Sequence, residues 1–122
     1  MAGHRWVRLD VDYFQNPKTL AAGPGGRGLH LASICWSGRY LTDGHIPGAA
    51  LPSLLGEAGV RRPAADRLVE AGLWVPNGDG FHIHDYTEMN STRSEIESER
   101  ISWRERQQRS RNRKHASSRD DE

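Results

Sequence analysis

The apolar residues of this chain are confined to its first three quarters, and this division limits what the chain can fold into. Residues 1–92 hold nearly all the leucine, valine, tryptophan, tyrosine and phenylalanine, and the apolar pattern ends near Tyr86. The last 30 residues add only Ile96, Ile101, Trp103 and Ala116. A folded core needs a sufficient supply of apolar side chains. The 122-residue sequence therefore predicts one domain over residues 1–90 and a polar tail over residues 91–122.

Charge is divided at about the same boundary. The net charge is only +1, and residues 1–92 carry eight basic against nine acidic residues, so the predicted domain is nearly neutral. Residues 100–114 carry seven basic residues against Glu105 alone, an excess of +6. So dense a basic stretch indicates a polyanionic partner, and we expect nucleic acid. RNA, an acidic protein surface and a merely solubilising role stay open as alternatives.

Capping residues and glycines predict the elements of the first half of the domain. Residues 6–14 alternate partly between polar and apolar and suit a short strand or an extended arm against the core. Asn16 and Pro17 favour a helix start, and this helix is expected to end at Gly23. Residues 24–26 then predict a loop that links it to a helix over about residues 28–40. Since that helix is apolar almost all round, we expect it to be buried.

Short helices and short strands alternate in the second half of the domain. His45, Ile46 and Pro47 suit one rung of a small sheet, and the helices are expected to end at Gly56 and Gly72. Asn-Gly and Asp-Gly steps within residues 76–80 supply the positive φ that a tight hairpin needs. The predicted ranges are helices over about 48–55 and 62–71, then hairpin strands over 73–75 and 81–84.

A helix, a short turn, a second helix and a hairpin define a winged helix-turn-helix, so the expected fold class is α+β. The second helix is the candidate recognition helix, since its apolar residues share one side and its arginines lie on the other. The predicted DNA-contacting residues here are Arg61, Arg62 and Arg67. A solvated face or a protein-binding surface is the alternative.

The predicted hairpin is expected to serve mainly as structure. Its tip contains Asp79 and no lysine or arginine, so it is not suited to hold phosphates by charge, although Asn77 can offer a hydrogen bond to the DNA backbone. Trp74 opens the first strand, and the alternation of side chains directs it away from the side of Leu73 and Val75. We expect Trp74 to be buried beneath the N-terminal strand or the start of the tail helix.

The tail opens with a capping box, in which Thr92 is followed three residues later by Glu95, and this predicts a helix over about residues 94–114. Its apolar stripe, Ile96 and Trp103, is too small to stabilise it by packing, so we expect its C-terminal half to order on a partner. If about six basic groups neutralise phosphates, the log-log slope of affinity against salt is near −5. The predicted DNA-contacting residues are Arg100, Arg104, Arg106, Arg109, Arg111, Arg113 and Lys114.

Other classes of function have little support. A lone cysteine, no apolar run of about 20 residues and no signal peptide predict an intracellular protein. His45, His82 and His84 come close in the predicted sheet, but the metal-ligand spacings are missing, and we expect neither metal nor cofactor. The sequence shows no phosphate-binding loop and no grouping of nucleophile and base, so we expect no enzyme.

Several short motifs resemble the N-terminal winged-helix domain of phage and prophage replication initiators, also called replisome organisers. They cover roughly residues 5–90, and similar actinobacterial phage proteins also tend to carry an Arg/Glu-rich segment after this domain. The motifs are Trp6-Val7-Arg8-Leu9-Asp10, Tyr13-Phe14, Pro17-Lys18, Leu41-Thr42-Asp43-Gly44-His45-Ile46-Pro47, Leu68-Val69-Glu70-Ala71-Gly72-Leu73-Trp74 and Ile83-His84-Asp85-Tyr86.

The resemblance implies binding of double-stranded origin or operator DNA in a phage or prophage setting, for replication initiation or transcriptional regulation. It also implies a place in the host bacterial cytoplasm, associated with the nucleoid. Replisome organisers usually continue into a C-terminal region that contacts a helicase or its loader, whereas this chain ends at Glu122. A free-standing regulator therefore stays open, as does a phage winged-helix protein that binds a host protein as an inhibitor or adaptor. A homodimer is compatible with these alternatives, and a palindromic DNA site would indicate one.

Overall fold

The computed structural model describes residues 5–90 and 92–120, with side chains described as far as Arg113. The chain divides into two compact units, Met1–Ser91 and Thr92–Glu122. The first unit, called the domain below, is α+β, with a helical part and a three-stranded antiparallel sheet. The second unit consists of one helix in its described part.

Helix α1, Pro17–Tyr40, begins as predicted. The Asn16 side chain accepts a hydrogen bond from the backbone N–H of Lys18 at 2.9 Å, and Pro17 occupies the first helical position. The predicted loop over residues 24–26 is wrong. The chain has a kink at Gly23, where φ is +72°, and the helix resumes at once because Pro24 is acceptable in a first helical turn.

The second half of α1 is buried along one side only, and several of its buried residues are polar. Ser33 and Ser37 are fully buried, whereas Tyr40 is more than half exposed. The Ser37 hydroxyl pairs with that of Thr42 at 2.7 Å and accepts a hydrogen bond from the backbone N–H of Gly44 at 2.7 Å. The prediction of a helix buried almost all round is thus wrong, because Cys35, Arg39 and Tyr40 are exposed on its other side.

A single 3-10 turn, Gly48–Ala50, leads into helix α2, Leu51–Ala58. The prediction that this helix ends at Gly56 is wrong, because Gly56 keeps helical geometry and the chain turns at Gly59, whose φ is +68°. A left-handed residue just after a helix is the usual place for glycine. Leu54 and its neighbours on one side of α2 lie in the core, as predicted.

Helix α3, Pro63–Glu70, is shorter by a residue at each end than predicted. Ala65 and Leu68 are buried, and Val69 is half-buried against the same core. The helix ends before Gly72, whose φ of +79° confirms it as the stop signal. These residues hold α3 against α1, so its remaining side faces outward.

The sheet has the order β1-β3-β2, with the last strand of the chain in the centre. The predicted rung and hairpin are both confirmed, with hairpin boundaries moved by one or two residues. His45 lies opposite His82, and the hairpin turns through Gly78, whose φ is +62°. The strands are β1 (His45–Ile46), β2 (Trp74–Asn77) and β3 (Gly80–Ile83).

Trp74 is 1% exposed and lies at the centre of the core, as predicted. Its indole N–H donates a hydrogen bond to the Ser33 hydroxyl at 3.2 Å, and its ring lies 4.7 Å from the ring of Phe81. These contacts come from α1 and β3, in place of the N-terminal strand or tail helix that the sequence suggested. Burial with a partner for the N–H is the arrangement an indole requires inside a protein.

The described part of the N-terminal segment is an arm over residues 5–10 that pairs with no strand, so the strand alternative is wrong. The arm alternative holds as far as residue 10, after which the chain turns. Arg5 donates hydrogen bonds to the carbonyls of Gly38 and Arg39 at 2.9 and 3.0 Å, where a cation is favoured at the end of α1. Val7 packs on Gly38, and the backbone N–H of Arg8 donates to the Asn90 side chain at 2.7 Å. The arm then enters a 3-10 turn, Tyr13–Gln15.

A short helix α4, Tyr86–Met89, closes the domain, and helix α5, Arg93–Asp120, forms the second unit. The predicted capping box is confirmed: the Thr92 hydroxyl accepts from the N–H of Glu95 at 3.1 Å, and the Glu95 carboxylate accepts from that of Thr92 at 3.2 Å. The helix extends beyond its predicted end. Ordering of its C-terminal half on a partner stays a prediction.

Candidate nucleic-acid interface

The three arginines predicted for the recognition helix all lie on the outer side of α3 or at its entrance. Arg61 and Arg62 occupy the turn before the helix, and Arg67 lies in its second turn; all three are exposed. The backbone N–H groups of Ala64 and Ala65 donate to the carbonyls of Arg61 and Arg62 at 3.0 and 2.9 Å, which fixes this turn. The turn keeps both guanidinium groups at the start of α3, where they can reach a ligand.

Two carboxylates share this outer side of α3. Asp66 and Glu70 are exposed, like the arginines, and the ion pairs of the described residues do not involve them. The surface therefore has only a small excess of positive charge, which is too small to attract DNA strongly by charge alone. Such a mixture of donors and acceptors suits hydrogen bonding to base edges better than general attraction to phosphates.

The structure adds Lys18, which the sequence analysis did not single out as a contact. Its Nζ lies 4.0 Å from the place a Cβ would take on Gly72, at the end of α3. Arg67 is also near α1, with a guanidinium nitrogen 3.4 Å from the place a Cβ would take on Gly23. Both cations thus lie along the seam between α1 and α3. A local pattern gives no signal for this, because the seam joins residues about 50 positions apart.

The hairpin of β2 and β3 is short and held close to the domain. A Cβ on Gly80 would clash with the Ile46 carbonyl oxygen, and a Cβ on Gly48 would clash with the Asp79 carbonyl oxygen. Both positions therefore require glycine. The tip carries no lysine or arginine, and Asn77 is exposed. A mainly structural role for the hairpin stays a prediction.

The six arginines predicted for the tail are all exposed on α5. Between Arg93 and Arg113 only Ile96 and Ser110 are partly buried. Two ion pairs along the helix involve Arg93 with Glu97 at 3.0 Å and Arg109 with Glu105 at 3.8 Å, so one of the six is partly neutralised. Lys114 lies outside the residues whose side chains are described. The set of six is Arg100, Arg104, Arg106, Arg109, Arg111 and Arg113.

The histidines do not converge on a metal site in the described part of the chain. His45 and His82 are neighbours across β1 and β3, as expected, but His84 lies beyond the strand and contacts Asp85 at 3.1 Å. Three or four ligands around one point are the minimum for zinc. These histidines therefore behave as polar side chains of the sheet and its flank.

A cavity of about 480 Å³ lies between the N-terminal arm, α1 and the end of β3. The buried hydroxyl of Tyr13 pairs with Nδ1 of His30 at 2.7 Å in its wall. Burial lowers the pKa of His30 to about 4 and raises the pKa of Tyr13 to about 12, so both are neutral at pH 7. A hydrogen bond between a neutral imidazole and a protonated phenol thus joins the arm to α1.

Comparisons with protein-family models, curated proteins and solved structures found no match to this chain. In the described residues, no helix has the length and apolar character needed to cross a membrane.

Proposed function

We propose that this chain is a winged-helix protein that binds double-stranded DNA in a sequence-specific manner. The observation that carries the proposal is the element order α1, β1, α2, α3 and hairpin, with β1 paired beside the hairpin and arginines on the outer side of α3. In the winged helix-turn-helix arrangement, the helix before the hairpin enters the major groove. Here that helix is α3.

Each surface of the protein has a distinct task in this proposal. Arg67 on α3 and both Arg61 and Arg62 at its entrance contact base edges, and Lys18 contacts a flanking phosphate. The basic residues of α5 add attraction to the DNA backbone that is independent of sequence and sensitive to salt. The hairpin supports α3 and has little direct contact with DNA.

The proposed setting is a phage or prophage in the host bacterial cytoplasm, with a role in replication initiation or transcriptional regulation. It rests on the family resemblance of residues 5–90 and on the composition of the tail. The protein acts as a binding module and not as an enzyme in this proposal. A second protein of the replication or transcription machinery, or a second copy of the chain, is a further partner.

The decisive experiment is selection of bound duplexes from random sequence at two salt concentrations, with variants then measured on the recovered site. Arg62→Ala and Arg67→Ala should each cost about 1 to 3 kcal/mol on that site and relax its specificity. Arg39→Ala is the matched control, because it removes an equal charge from an exposed position at the far end of α1. Equal losses for all three variants on every sequence would reject base recognition by α3.

A protein-binding role is the second candidate, and the exposed apolar side chains of the N-terminal arm favour it. Trp6 is 85% exposed and Val11 is 97% exposed, with Leu9 and Phe14 also outward. Clustered exposed apolar residues often mark a contact with another protein. Such a contact should respond weakly to salt, whereas DNA binding should weaken steeply.

A further inference from the structure

Trp103 is a large aromatic residue on a helix that is otherwise strongly polar. Its side chain is 54% exposed, in the middle of the basic part of α5. Ile101, two residues earlier, is exposed to nearly the same extent, at 55%. An α-helix turns by about 100° per residue, so these two side chains leave the helix on nearly opposite sides. Substitution of Trp103 and of Ile101 therefore compares the contributions of the two sides of α5 to binding.

Arginines lie on both sides of Trp103 around the helix. Successive residues turned by about 100° place three arginines on each flank, all within roughly 120° of the indole. Gln107 and Ser110, which are small or uncharged, lie nearly in line with Trp103 on the same side. The first flank comprises Arg100, Arg104 and Arg111, and the second comprises Arg106, Arg109 and Arg113. We call this side of α5 the Trp103 face.

The opposite side of α5 has a different character. Between Arg100 and Arg113 the one carboxylate is Glu105, which lies nearly opposite Trp103 and pairs with Arg109 at 3.8 Å. Ile101 shares that side. Glu99 lies on the Trp103 face one turn earlier, so the basic face begins at Arg100. The Trp103 face is then about 20 Å long at 1.5 Å per residue.

An aromatic ring between two rows of guanidinium groups suits a ligand that offers flat rings and closely spaced negative charges. Single-stranded nucleic acid has both, because its bases can stack on an aromatic side chain while its phosphates pair with arginines. In a duplex the base faces are already stacked on each other, and an acidic protein surface offers no such rings. The contribution of the Trp103 ring to binding therefore distinguishes a single-stranded ligand from a duplex or an acidic protein.

We propose that the Trp103 face binds single-stranded nucleic acid, with a base stacked on Trp103 and phosphates held by the flanking arginines. The proposal goes beyond the proposed function, because it gives α5 a single-stranded ligand in addition to the duplex phosphates that its arginines contact. It requires no particular placement of α5 against the domain. A strand of DNA and a strand of RNA offer the same chemistry, and the experiment separates them.

The test measures fluorescence anisotropy of an end-labelled oligothymidylate of about 12 nucleotides, a length within the usual site sizes, with the full chain. Trp103→Ala should weaken binding about tenfold, as expected for loss of one stacked base, and Trp103→Phe should retain most of the affinity. Ile101→Ala is the matched control and should leave affinity within about twofold. Oligouridylate of the same length reports whether RNA binds equally well. Far-ultraviolet circular dichroism checks that each variant keeps its helix.

Three outcomes would overturn the proposal. Equal affinities of Trp103→Ala and Ile101→Ala would show that no base stacks on Trp103, and a larger Trp103→Ala effect on a duplex of equal length would indicate insertion into a groove. If the same concentration of polyglutamate displaced the oligothymidylate from every variant, charge alone would account for the binding. Arg62→Ala separates this inference from the proposed function, because it should affect the duplex site and leave oligothymidylate binding unchanged.

Discussion

Trp74 and Trp103 show how differently the two units of this chain use the same residue. Trp74 is 1% exposed and joins β2 to α1, whereas Trp103 is 54% exposed on a helix with few buried residues. The domain is nearly neutral and is stabilised by packing between elements distant in sequence. In contrast, α5 is strongly basic and is stabilised by contacts three or four residues apart. The comparison predicts that stability resides in one unit and attraction to polyanions in the other.

The largest expected effect is on Trp74. Trp74→Ala removes the central side chain of the core and the hydrogen bond to Ser33, so it should lower the free energy of unfolding of the domain by about 3 to 5 kcal/mol. DNA binding should weaken only through the unfolded fraction. Urea unfolding monitored by near-ultraviolet circular dichroism measures the change.

Trp103→Ala is the control for this prediction. Because Trp103 is mostly exposed, its removal should change the free energy of unfolding by no more than about 0.5 kcal/mol. An unchanged midpoint for Trp74→Ala together with lost binding would make Trp74 a partner contact, and would favour the protein-binding alternative.

The next largest effect concerns His30 and pH. Burial lowers its pKa in the folded domain to about 4, against about 6.5 in an unfolded chain. As the pH falls, the unfolded state therefore takes up the proton first. The stability due to neutral His30 is complete above about pH 6.5 and is lost as the pH falls towards 4, by up to about 3 kcal/mol.

His30→Asn tests this directly, because the amide can still accept from Tyr13 and does not titrate. The variant should lose less stability than the natural protein between pH 6.5 and 4, measured by urea unfolding at each pH. Asp10, Asp12, His84 and Asp85 line the same cavity in both proteins, so the difference between the two curves isolates His30. Parallel curves would mean that His30 is readily protonated in the folded domain.

Local signals in the sequence predicted many of the elements well. Three helix ends appear where expected, and each is fixed by a contact between residues two to four positions apart. The residues are Asn16 with Pro17, Gly72, and Thr92 with Glu95. Burial of Trp74 was also predicted correctly, although Leu73 is buried as well, so strand alternation does not separate these two residues. In these cases the residue that determines the local structure lies within the same element or at its end.

Predictions failed where the deciding contact is distant in sequence. Gly26 looked like part of a loop, yet it lies within α1, where it packs near Leu68 of α3 and a larger residue would also press on Ala22. No local sequence pattern indicated that Lys18 lies beside the end of α3, since its nearness to Gly72 arises from the packing of α1 on α3. Exposure of the predicted arginines is confirmed, because helical periodicity places those beside α3 on its polar side and the tail offers few apolar residues to cover the others. Their contact with DNA stays a prediction.

The smallest expected effect, at the start of α5, tests the comparison most sharply. Thr92→Ala removes the hydroxyl that accepts from Glu95, which should cost α5 about 1 kcal/mol of helix stability, because an unsatisfied N–H remains in its first turn. The helical signal in far-ultraviolet circular dichroism should fall, while the melting midpoint followed by near-ultraviolet circular dichroism stays unchanged. Thr92→Ser is the matched control, because serine keeps the hydroxyl and caps at least as well. A melting midpoint that falls together with the helical signal would show that α5 and the domain unfold as one cooperative unit, and would contradict the division of roles between them.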